Sequence, residues 1–169
     1  MDRITKSLLD NFISNNNLEK VVEETAFERF TGYLMTSKHF TETFSSDDIH
    51  VGAGADCGID SISIIVNGCL VVDPDEIEDL ETTNGYIDAT FIFNQAERSS
   101  SFDTQKLGNF GFGVKDFLSE NPKLPQNDGL KLKAKIINEV LSEVVNLKKV
   151  IHNVSCIIQQ QENGLEIKI

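Results

Sequence analysis

Residues 86–97 read Tyr-Ile-Asp-Ala-Thr-Phe-Ile-Phe-Asn-Gln-Ala-Glu. The stretch is rich in β-branched and aromatic side chains, which suit a pleated, packed surface. From Ala89 to Phe93 it is close to continuously apolar, as expected of a strand covered on both faces. Its last residues turn polar, so the strand is expected to emerge from the core at Gln95 and Glu97. Upstream, residues 59–66 (Ile-Asp-Ser-Ile-Ser-Ile-Ile-Val) form a second β-rich run. Asn67-Gly68 is a two-residue hairpin signal, and 69–72 reads as the return strand. These runs predict that 59–66 and 86–97 pair directly in a mixed sheet.

Farther out, helical spacing dominates. Leu18, Val21, Val22, Phe27, Phe30 and Leu34 predict a helix over about 18–37. A shorter helix carrying Ile4, Leu8, Leu9 and Phe12 precedes it and ends in the Asn15-Asn16-Asn17 run. Residues 41–58 read as loop. Asp73 is expected to cap a short acidic helix, with Pro74 in its first turn and Glu76 at the capping-box position. Asp103 is expected to cap a helix over about 104–120, a reading that Gly108, Gly111 and Gly113 weaken. Residues 129–149 give the broadest apolar helical face, and 154–160 with 165–169 read as a hairpin. Helices 18–37 and 129–149 are expected to pack on the sheet. The whole is a mixed α/β domain with a central sheet.

Composition narrows the function classes. The chain has 169 residues, which fits one domain. No apolar run reaches the ~18–20 residues of a membrane-spanning helix, and the start lacks the apolar core of a signal peptide. Both point to a cytoplasmic protein with no membrane partner. Cys57, Cys69 and Cys156 form no CxxC pair, which speaks against a zinc site or disulfide framework. The net charge is −12, and residues 39–94 hold twelve acids and no Lys or Arg. Phosphate contacts need cations, so a nucleic-acid face must draw on the C-terminal half or on parts of a larger protein. The chain stops inside a predicted strand, which suggests a fragment.

Gly52-Ala53-Gly54-Ala55-Asp56-Cys57-Gly58 lacks the third glycine of a dinucleotide loop and leads into a strand rather than a helix, so a phosphate cradle is rejected. The acids at 73–81 read as a solvated helix face, and Phe102, Phe110, Phe112 and Phe117 as core. His39, His50 and His152 have no partner spacing and suggest ordinary polar roles. Asp60 is more telling, being an acid at the mouth of an apolar strand, where unpaired burial is costly. Alternation places Phe93, Gln95 and Glu97 on one face of their strand. If the two strands are neighbours, Asp60, Gln95 and Glu97 meet at one sheet edge. Glu28, on the helix before, can point toward the same spot.

As an ordered set, Phe27-Glu28, Asp56-Cys57-Gly58-Ile59-Asp60, residues 91–97 and Ser101-Phe102-Asp103 resemble the N-terminal region of abortive-infection phage-resistance (AIPR) proteins. More broadly they resemble the restriction-endonuclease-like PD-(D/E)XK nuclease superfamily, over roughly residues 20–120. The resemblance implies a three-layer domain, a central mixed β-sheet flanked by helices. Residues 1–169 would then be a single nuclease-like domain, the N-terminal part of a longer protein. It implies a metal-dependent DNA endonuclease in prokaryotic anti-phage defence. Asp60 matches the metal-binding Asp, Gln95 the second acidic position and Glu28 the helix acid, with Mg²⁺ or Mn²⁺ as cofactor and DNA as partner. Glu97 departs from the pattern, because the family has lysine there. Either Glu97 is a further metal ligand that makes up the charge lost at Gln95, or the fold is a degenerate nuclease kept for protein binding, assembly or self-association. An altered active-site residue is a third reading. Arg98 is expected to project to the opposite face of the strand.

Overall fold

The structure, a computed structural model, describes residues 1–98, 104–146, 154–161 and 165–168. Five α-helices and five strands occur among them: α1 (Arg3–Asn15), α2 (Glu23–Thr36), β1 (Ser61–Val66), β2 (Cys69–Leu70), α3 (Glu76–Asn84), β3 (Ala89–Ala96), α4 (Thr104–Phe117), α5 (Asp128–Asn146), β4 (Val154–Gln161) and β5 (Leu165–Lys168). The sheet order is β2-β1-β3-β4-β5. β3 is indeed central, antiparallel to β1 and parallel to β4, so the sheet is mixed. The register pairs Ile62 with Phe93 and Ile64 with Phe91.

The two faces of the sheet are built differently. Ile62, Ile64, Phe91 and Phe93 face α4 and α5, where they join Phe110, Val114, Phe117, Leu130, Ile136 and Val140 in the main core. The other face carries Ser61, Ser63 and Asn94, all buried. It receives α2 through small and polar contacts around Gly32 and through Met35, which joins Ile65 and Ile92 in a separate apolar cluster. The hydroxyls of Thr36 and Ser63 lie 2.5 Å apart, and Asn94 Nδ2 donates to Thr31 Oγ1 at 3.2 Å. Gly32 permits this close approach, because a Cβ there would fall 2.5 Å from Ser61 Oγ. α1 packs on α2 through Leu9, Phe12, Phe27 and Phe30.

Several boundaries differ from the sequence expectations. α2 starts at Glu23 rather than 18, because Leu18–Val21 close a turn (Val21 N donates to Leu18 O, 2.9 Å) and Val22 is extended, with φ −62° and ψ 144°. Leu18 is still buried, but in the α1–α2 cluster. The return strand shrinks to two residues. α3 begins at Glu76, yet the predicted capping geometry holds one turn earlier: Glu76 Oε1 accepts from Asp73 N (2.7 Å), and Asp73 Oδ1 accepts from Asp75 N (3.0 Å). β1 and β3 are shorter than their runs, which leaves Asp60 and Glu97 just outside regular strand. Within the 41–58 loop lie a 3₁₀ turn at Ser46–Asp48 and a bridge from His50 to Ser61. Phe112 is 60% exposed, not core, because positions 110, 114 and 117 take the inward face of α4. The expected Asp103 cap, residues 147–149 of the last helix and Phe102 lie outside the described residues. Among the described residues, no helix is long and apolar enough to cross a membrane.

Candidate functional site

The candidate site forms where β1 and β3 part. Asp60 N donates to Asn94 O (2.9 Å), the last backbone bond of the β1–β3 ladder on this side. Beyond it the chain turns away, and Ile59 N bonds back to Asp56 O. Asp60 then uses its side chain in place of backbone: Oδ2 accepts from Ala96 N at 2.6 Å. This carboxylate is therefore fixed by the sheet rather than free on an edge.

Glu28 and His50 complete the group. Glu28 projects from the middle of α2, and His50 follows the 3₁₀ turn. His50 Nε2 lies 3.0 Å from Glu28 Oε2. Both side chains converge with Asp60 on one glycine. A methyl on Gly52 would fall 2.9 Å from Glu28 Oε2, 3.2 Å from His50 Nε2 and 3.4 Å from Asp60 Oδ1. Any side chain at 52 would thus fill the space that these three groups share.

Electrostatics set Asp60 apart. Its carboxyl is pushed up to about 7, first by burial, then by the nearby charges of Glu28 and Asp56. The Ala96 N–H and His50 act in the opposite direction but do not offset the burial. A carboxyl held near neutrality in this way loses most by being ionised alone, and gains most from a cation.

The other predicted residues take distinct places. Gln95 lies opposite Asp60, one step beyond the Ser61–Asn94 pair. Its Oε1 is buried without a hydrogen-bond partner, while its Nε2 lies close to Gly58. Glu97 turns to α4, where Lys106 Nζ meets its Oε2 at 2.5 Å. Arg98 turns to the other side and binds Glu23 Oε1 of α2 at 2.7 Å, as strand alternation requires. The structure thus brings Asp60 and Glu28 together, sets Gln95 opposite Asp60 and engages Glu97 with a helix cation.

His50 was not legible as a site residue. It stands 22 positions from Glu28, and its loop comes alongside β1 through the bridge to Ser61, a contact with no local sequence signal. Lys106 was equally hidden, since it meets Glu97 from α4 only once that helix is packed beside the end of β3.

A divalent cation fits the donors present. Asp60 and Glu28 offer carboxylate oxygens, and Gln95 Oε1 is an unpartnered carbonyl beside Asp60. Mg²⁺ is commonly held by one or two carboxylates and keeps several waters. Among the described residues, no three His, Cys, Asp or Glu side chains are placed as a ready ligand set, so water must complete any coordination shell. The chain matches no family model, no curated protein and no solved structure.

Proposed function

We propose that this chain is a restriction-endonuclease-like, PD-(D/E)XK-type domain that cleaves DNA phosphodiesters with Mg²⁺ or Mn²⁺, as part of a prokaryotic anti-phage (AIPR-type) defence protein. The observation that carries this reading is the convergence of Glu28 and Asp60 on Gly52 at the mouth of β1, beside the end of central strand β3. Asp60 and Glu28 would hold the ion. When bound, it supplies an acidified water and stabilises charge on the phosphate oxygens. Asp60 has its orientation set by Ala96 N–H. Glu28 has its orientation set by His50, whose ring also limits how far the carboxylate can swing. Gln95 Oε1 can accept from a water at the site.

Glu97 keeps a second reading alive. At the family's lysine position, a glutamate repels phosphate. Here it is met by Lys106, so a cation does stand at this end of β3, supplied by α4 rather than by the strand. If Lys106 is held on Glu97 throughout, the domain is a degenerate nuclease fold serving as a protein-binding, assembly or self-association module.

The deciding experiment is cleavage of duplex and single-stranded DNA by the whole chain with Mg²⁺ or Mn²⁺, beside Asp60→Asn. Metal-dependent cleavage lost in the variant supports the nuclease. Absence of cleavage in both proteins, with no metal binding, refutes it.

A further inference from the structure

We propose that Asn127 is the positioning residue of the candidate site, a side chain that caps α5 and at the same time fixes the loop carrying His50 and Gly52. The proposal rests on the reading of Glu28 and Asp60 as a site, but its test does not depend on activity.

The loop between Val51 and Asp60 needs an external hold. Gly54, Ala55, Cys57 and Gly58 all take left-handed φ values, between 50° and 74°. Such a path points successive carbonyls away from any strand partner and leaves them to side chains or water. Asp56 satisfies two N–H groups from within, at Gly54 and Gly58. Three carbonyls of the loop, those of Val51, Gly54 and Ala55, are taken by Asn127. Its Nδ2 donates to Val51 O at 2.8 Å and to Gly54 O at 3.0 Å, and its backbone N–H donates to Ala55 O at 2.8 Å.

The same residue starts α5. Asn127 Oδ1 accepts from Leu130 N at 2.9 Å, the bond of an N-cap. Both amide protons and the amide oxygen are thus in use, and the only other side chain with this donor–acceptor set is the longer Gln. Farther along α5, buried Lys133 Nζ donates to Asp48 O at 2.7 Å. Asn127 at the N-cap of α5 and Lys133 within it therefore grip the chain on both sides of His50 and Gly52. Through this grip α5, which packs on the sheet, sets the loop position against which Glu28 and Asp60 meet.

Two variants separate clamp from cap. Asn127→Ser and Asn127→Asp keep a good N-cap oxygen but remove the two amide donors. Amide hydrogen exchange of the full chain is measured across residues 51–60 and 130–140, with Mn²⁺ affinity read in parallel. Losing two hydrogen bonds should speed exchange in the loop by roughly tenfold or more, with α5 within about twofold of wild type. Mn²⁺ affinity should fall with it, at unchanged stoichiometry. Wild-type protection of the loop in both variants would overturn the proposal, as would equal loosening of loop and helix. A wild-type chain that binds no Mn²⁺ would strike at the nuclease reading, while exchange would still decide the clamp.

Discussion

Asp60→Asn should stabilise this protein, and more so as pH rises. The carboxyl titrates near 3.8 in an unfolded chain and near 7 in the fold. A raised folded-state value means that Asp60 contributes its full share of stability below about pH 4, and that this share is lost as pH rises through 7. The difference of about three units corresponds to roughly 4 kcal/mol at pH 8, at about 1.4 kcal/mol per unit. Solvent relaxation around a half-buried group reduces this, so about 2 kcal/mol is expected. Asparagine keeps an oxygen for Ala96 N–H and carries no charge to desolvate. The variant should match wild type near pH 4 and exceed it by about 2 kcal/mol at pH 8, or several degrees in Tm for a chain of this length. Urea denaturation across pH 4–8, with chelator present, measures it. A variant less stable at pH 8, or a difference that does not grow with pH, would refute the reasoning. A destabilising carboxylate that the sheet holds in place is what a binding site costs.

Other perturbations probe the fold around the site. Burial pulls Lys133 down to about 8, so its charged form costs stability at neutral pH; wild type should gain on Lys133→Met between pH 8 and 10, seen by chemical denaturation at both ends. Gly32→Ala drives a methyl into Ser61 and should cost about 1–3 kcal/mol, with Ser61→Gly restoring part of it in the double variant, measured by urea denaturation. Glu97→Lys should raise Mg²⁺-dependent cleavage if the end of β3 needs more cation, with Asp60→Asn abolishing the gain in a plasmid-nicking assay. Stability of Glu97→Lys should change by no more than about 1 kcal/mol, since the Glu97–Lys106 pair is only partly buried.

The strands were legible because their signals are local. The apolar run 89–93 announces a strand covered on both faces, and Asn67-Gly68 sets the β1–β2 turn, with Asn67 at a φ of 51°. The pairing of 59–66 with 86–97 followed from those two facts. The boundaries were less legible, because the turn before Val22 has no apolar signature of its own and the departure of β1 at Asp60 is settled by the bond from Ala96 N–H. Asp60 and Glu28 were found as acids in telling places. His50, Lys106 and Asn127 were not, since each acts through a partner brought close only by the folded chain. Asn127 is the clearest case: its targets at Val51 and Gly54 are more than 70 positions away. Phe112 shows the reverse error, a large apolar residue assigned to the core when the helix turns it to solvent.

The most direct test of the central claim is the titration of the Asp60 side-chain carboxyl, followed by carbon-detected NMR with and without Mg²⁺. Without metal the midpoint should lie near 7. With saturating Mg²⁺ it should fall by two units or more, on the order of the effect of one close positive charge, and the Glu28 carboxyl signal should shift in the same titration. A midpoint near 7 that Mg²⁺ leaves unmoved would contradict the account, because the two carboxylates around Gly52 would then hold no cation.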